Sequence, residues 1–218
     1  MGGPLVIDPA GWQLHAEHFA ERHGLIVIIA LGESIVAIGV GAEGGVDNGV
    51  FLAAALGMAV AAAQWWAYFD VVSTFSARNL AAQPAGRPQN TLARDCYSYL
   101  HFPMVAGIVL TALGMKTTLA HVHDPLHWET ATALIGGVVL YLLAHVGFAY
   151  RDHKAVKSIR LAAIVALVAL LPLTHELEAI YVLALAAAVV AAMIAWETVR
   201  YAEQRDLIRH AQPEAVPE

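Results

Sequence analysis

Glu33 is the only charged residue between Gly24 and Gly41, in the run ERHGLIVIIALGESIVAIGVG (residues 21–41). A carboxylate at the centre of an apolar helix in a bilayer costs about 2.5–3.5 kcal/mol on insertion scales, so ionisable groups there default to functional candidates. Two uses are open to it: a proton-exchanging group in the interior of a bundle, or a hydrogen-bonded carboxyl that holds helices together. The interior position, facing the second and third spans, is the expectation, because a lipid-facing carboxylate carries the insertion cost without compensation. With about 100° of turn per residue, Arg22 and Glu33 return to nearly the same face, about 16 Å apart along the axis. His18 lies one turn before Arg22, and Ser34, Ala37 and Gly41 form a small-residue stripe on the neighbouring face, suited to close helix packing.

Further acid–base candidates come in pairs. Tyr97 and His101 are four residues apart, as are Tyr141 and His145, so each pair shares a helix face. Pro103 removes a backbone donor and places a kink beside His101. Each histidine can serve as an acid–base group or as packing glue through a tyrosine or a carbonyl. In AQWWAYFD (63–70), Gln64 lies within an apolar window and Asp70 closes it. Asp70 is as well placed to cap Arg22 or Arg78 as to act chemically. Trp65, Trp66, Tyr68 and Phe69 read as an interfacial aromatic belt. His121, His123 and His127 share a turn with Asp124 and read as exposed polar groups. There is no HExxH and no cysteine pair, so no metal or cofactor site is expected.

The elements that must carry these groups follow from composition. Hydrophobic residues make up 59% of the 218 and charged residues 14%, against roughly 45–50% and about 25% in soluble domains. The apolar residues fall into windows 23–42, 48–69, 96–115, 130–150, 161–175 and 179–196. A bilayer span takes about 20 residues, with roughly 17 as the short limit; the fifth window must borrow from AVKSI before it. The fold class expected is all-α, a polytopic integral membrane bundle of six transmembrane helices at about 19–41, 49–71, 97–118, 129–150, 157–173 and 177–198. Residues 1–18 are an exposed lead-in and 201–218 a polar tail. Arg22, Arg78, Arg87, Arg94, Arg151, Lys154, Lys157, Arg160, Arg200, Arg205 and Arg209 all fall on one side of such a bundle, and Lys116 alone on the other. Basic loops stay cytoplasmic, which puts both termini there. The segment 73–95, with Pro84 and Pro88, reads as the longest loop. A net charge of −6 argues against a nucleic-acid surface, and Cys96, alone, gives no disulfide framework.

HFAERHGLIVIIALGESIVAIG (18–39), WWAYFD (65–70) and YLHFPMVAGIVLTALGMK (99–116) resemble, in that order, the motifs of the bacterial low temperature requirement A (LtrA) family. The resemblance runs from residue 12 to about 200. It implies a multispanning membrane protein and gives weight to Glu21, Arg22, Glu33, Asp70 and His101, which fall in those motifs. It implies no substrate. Full-length members are longer and begin with a span like ELFFDLVFV, so the chain resembles their C-terminal portion; a homo-oligomer, or a separately encoded N-terminal half, is the partner expected besides the lipid bilayer. The function expected is movement of protons or a small polar solute with Glu33 as the titrating group. The alternatives are a membrane-embedded enzyme acting on a lipid-like substrate through Glu33, Asp70, His101 and His145, and an assembly module without chemistry.

Overall fold

The computed structural model describes residues 14–70, 72–203 and 206. Helix α1 spans Ala16–Gly41, α2 Asn48–Phe69, α3 Val72–Ala82 and α4 Arg87–Leu92. A π-helical run, Ala93–Leu100, leads into α5, His101–Ala120. Helix α6 spans Trp128–His153 and α7 Ser158–Leu170, which a 3₁₀ turn over Leu171–His175 prolongs; α8 spans Ala179–Arg200. Among the described residues, six stretches are long and apolar enough to cross a membrane: Ala16–Gly41, Asn48–Ala82, Arg87–Ala120, Trp128–His153, Ser158–His175 and Ala179–Arg200. In hydrocarbon every backbone donor and acceptor must be satisfied within the protein, and a helix does this within each segment. The protein is an all-α, multi-pass membrane protein. The lead-in and the polar tail fall mostly outside the described residues.

Segment 73–95 is not a loop. It forms α3, α4 and the start of the π run, broken only at residues 83–86. Pro84 sits in that break, whereas Pro88 lies in the first turn of α4, where its missing N–H is harmless. Asp152 at the end of α6 fixes α3: it accepts from Ser76 Oγ at 2.8 Å and from Asn79 Nδ2 at 2.7 Å. Asp95 in the π run accepts from Arg151 Nε at 2.8 Å. The polar residues that suggested a solvated loop are thus spent on tying these short helices to α6.

At the opposite end the turns are joined by backbone bonds. Ala179 N donates to Asp124 O at 2.9 Å and Ile180 N to Val122 O at 3.1 Å. Asp47 caps α2 by accepting from Val50 N at 2.7 Å, after a turn in which Gly45 has φ of 123°. Arg78, Arg87, Arg94, Arg151, Lys154, Lys157 and Arg160 lie at the other end, hereafter the basic end, in α3, α4, the π run and the α6–α7 junction.

Helices α5 and α6 approach most closely, through glycines. A Cβ on Gly114 would lie 2.5 Å from Leu134 Cα, and one on Gly137 2.5 Å from Thr111 N. Gly41 meets α5 in the same way, its Cβ position 2.6 Å from Lys116 O. Such contacts let backbones touch, which is how packing holds helices together when lipid is as apolar as the side chains. Gly32 and Gly39 on α1 have nothing within 4 Å.

Two predictions follow from this packing. Gly114→Ala should lower stability in detergent by about 1–3 kcal/mol, since the clash is with backbone that no rotamer can relieve. Gly32→Ala should leave it within about 0.5 kcal/mol; equal thermal shifts for the two would contradict the α5–α6 contact. For orientation, cysteines introduced as Gly45→Cys and Asp124→Cys should label from outside intact cells, and Ala85→Cys should not. Labelling of position 85 from outside would overturn the expectation that both termini are cytoplasmic.

Candidate functional site

The buried polar side chains converge where α1, α2, α5 and α6 meet toward the basic end. His101 opens α5 directly after the π run and is 3% exposed; Tyr68, in the last turn of α2, is 1% exposed. His101 Nδ1 lies 3.0 Å from Cys96 O, and its Nε2 lies 2.8 Å from Tyr68 Oη. A carbonyl only accepts, so Nδ1 carries the proton and Nε2 accepts from the tyrosine. π-helical turns shift backbone groups out of α-helical register and recur at functional sites; here the π run presents the Cys96 carbonyl to the ring.

Other rings surround this pair. Tyr97 stacks on His101 with centroids 5.1 Å apart and planes 13° apart, and His23 of α1 meets His101 edge-on at 5.1 Å. His23 is anchored through Nδ1 to Phe19 O at 2.8 Å. On the far side of Tyr68, His145 of α6 lies 6.0 Å away between ring centroids and 4.6 Å from Tyr141. Tyr141 Oη donates to Gln64 O, and Gln64 Nε2 donates to Thr111 Oγ1 at 3.4 Å. The result is a row of imidazoles and phenols, His23–His101–Tyr68–His145, crossing the interior from α1 to α6.

Beyond His145 a cavity of about 330 Å³ opens at the basic end, walled by α2, α3, α6, α7 and α8. Asp70, Lys157, Arg160 and Glu197 line it together with His145. Arg160 is 3% exposed and makes a forked contact with Glu197, Nε to Oε1 at 2.8 Å and Nη2 to Oε2 at 2.9 Å; Nη2 also donates to Ala67 O at 3.3 Å. This geometry is the planar, bidentate match that lets an arginine pair stay ionised away from water.

The residues singled out from sequence divide cleanly. His101, His145, Tyr97 and Gln64 come together in the interior, and each Tyr–His spacing does put its rings in contact. Asp70 is half-buried on the cavity wall. Glu33 is exposed on the outer face of α1, as are Arg22 and Glu21, and Glu21 accepts from His18 at 3.4 Å. The expected interior position of Glu33 is therefore corrected. Ser34, Ala37 and Gly41 take the packed side of the helix, and Glu33, one residue from Ser34, is turned about 100° away from it.

Several residues of the site escaped the sequence reading. Tyr68 was grouped with the belt, although it stands four residues after Gln64 on the same face. Arg160 was counted among the basic residues of one side, and Glu197 lay unremarked at the end of the sixth span; their separation of 37 residues gives no local signal. His23 follows Arg22 immediately but falls on the packed side with Ala20, Gly24 and Val27. The histidine turn at the opposite end remains exposed, with His121 facing Asp124 at 3.4 Å and His123 facing Glu178 at 3.1 Å. Among the described residues no three His, Cys, Asp or Glu side chains are grouped to hold a metal ion.

Comparison with known proteins adds lineage to this geometry. An uncharacterized protein of Rhizobium meliloti (strain 1021) is 35% identical over 130 residues, 59% of this chain, and the chain matches 31% of that relative's length. No solved structure matches. The family described as bacterial low temperature requirement A protein matches residues 1–195, spanning every group of the imidazole–phenol row, and the chain belongs to this LtrA family.

Proposed function

We propose that this membrane bundle moves protons, or a small polar solute exchanged for protons, through the interior row that ends at the basic-end cavity. The observation that carries the reading is the bonded sequence Cys96 O, His101 and Tyr68 within the bundle. Tyr68 and His101 each carry a group that can donate and accept, so a proton taken up at Nε2 can leave from Nδ1 once the ring turns that nitrogen off the Cys96 carbonyl, which accepts the hydrogen bond but not the proton. His145 continues the row toward the cavity, and His23 toward α1. The enzyme alternative needed Glu33 and a histidine within hydrogen-bond reach. Glu33 lies on the outer surface while His101 and His145 are buried, which weighs against it.

Glu33 enters this reading through assembly. Its face of α1 carries Ile26, Ile29 and Val36 exposed at 45%, 74% and 57%, with the open glycines 32 and 39 beside it. Small residues flanking a polar group are what close helix association in lipid uses. A second copy of the chain seated on this face would shelter the carboxyl; a separate N-terminal half is the other candidate occupant. The setting we propose is the inner membrane, with both termini in the cytoplasm.

In liposomes with an internal pH-sensitive dye, the wild-type protein should collapse an imposed proton gradient. His101→Gln should slow this on the order of a hundredfold, the scale of a positioned proton-transfer group, while unfolding at nearly the same temperature. Tyr68→Phe should slow it less, because His101 keeps both nitrogens. Unchanged flux in His101→Gln would remove the row from the mechanism. For the assembly, Gly39→Cys should form disulfide-linked dimers in oxidised membranes, and Gly107→Cys, inside the α5–α6 contact, should not. Monomer alone in both would leave no place for a second copy on α1.

A further inference from the structure

We infer that the basic-end cavity is a binding site for an uncharged amphiphile, a small apolar body carrying one head that both donates and accepts a hydrogen bond, with His145 as the group that holds the head. The inference stands on the cavity and does not require the proton reading.

Size sets the first limit. About 330 Å³ is at the lower end of small-molecule sites, which run from about 300 to 1,000 Å³. The walls set the second. Trp66, Phe75, Val146 and Ile194 present apolar surface from α2, α3, α6 and α8. Charge sets the third. The two cations in the lining, Lys157 and Arg160, are balanced by two carboxylates, Asp70 and Glu197, and Arg160 is already joined to Glu197 and to the Ala67 carbonyl. The lining carries no surplus charge with which to select an ion.

His145 supplies the specific contact. It is 1% exposed, and neither ring nitrogen has a hydrogen-bond partner among the described residues. Buried polar atoms are nearly always paired, and an unpaired one raises the question of what completes it. Neutral imidazole carries one donor and one acceptor on opposite edges of the ring, and a hydroxyl can meet either edge, accepting from the N–H or donating to the bare nitrogen. A hydrocarbon would leave both nitrogens unmade, and a carboxylate would satisfy only the donor. The same chemistry comes in a free alcohol and in the glycerol hydroxyls of a single-chain lipid.

Nuclear magnetic resonance of the ¹⁵N-histidine-labelled protein in detergent tests this directly. The His145 ring signals are assigned by their loss in His145→Gln. Addition of 1-octanol should move them saturably, while n-octane and sodium octanoate at the same concentration should not. Monooctanoylglycerol, run in parallel, tells the lipid-borne hydroxyl from the free one, and saturation by either alcohol supports the site. Ala149→Phe on α6 and Ile194→Trp on α8 fill the cavity from two walls, and either folded variant should abolish the shift. A shift that grows linearly and is shared by the other histidines reports partition into detergent and overturns the proposal. So does tighter binding of octanoate, an equal response to octane, or a shift that survives the filled cavity.

Discussion

A polar group surrounded by hydrocarbon is costly unless it finds a partner within the protein, and the bundle is organised by the pairs that do so. Backbone groups are closed within helices. Side chains are closed by reaching across them: Tyr141 to the Gln64 carbonyl, Arg160 to Glu197 and the Ala67 carbonyl, and His101 to both the Cys96 carbonyl and Tyr68. All but the contact with the Cys96 carbonyl join elements distant in the chain. Breaking one partner of a buried ion pair typically costs about 3–5 kcal/mol, since the other charge is left without water or counter-ion. The tie between α7, α8 and α2 is of that kind.

The glycine contacts make these long reaches possible. Because α5 and α6 touch at backbone distance through Gly107, Gly114 and Gly137, the side chains at either end of the contact meet at fixed spacing. Tyr141 and His145 on α6 are held opposite Gln64 and Tyr68 on α2 by the same closeness. Packing supplies the geometry and polar satisfaction selects which arrangement is stable, so the candidate site and the core are one construction.

The six membrane-length stretches, the apolar windows and both Tyr–His pairs were legible in the sequence, because span length and helical periodicity are local properties. The inward stripe of Ser34, Ala37 and Gly41 was legible too, and its buried position agrees with that reading. Glu33 was misplaced because the cost of a charge in lipid was weighed above the packing of its small neighbours. That stripe fixes the rotation of α1, and the carboxyl goes where the rotation leaves it. Segment 73–95 was misread for a related reason: its polarity looked like solvation, when Ser76, Asn79 and Asp95 bind α6. Arg160 and Glu197 were out of reach of any local rule, since only the folded chain brings α7 and α8 together.

The π run has a consequence for how this protein can change length. Eight residues, Ala93–Leu100, follow the wider i→i+5 winding, so the helical phase before and after them differs from that of one continuous α-helix. Loss of a single residue here would let the segment rewind as a regular α-helix, the faster turn per residue taking up the missing one, so α4 would keep nearly its phase to α5 while the register inside the run shifts. The Cys96 carbonyl, which the wider winding brings to the His101 ring, would leave it. The winding of the run thus sets its register against the rings inside, and chain length in this stretch is constrained even where the identity of a side chain such as Ser98 is not.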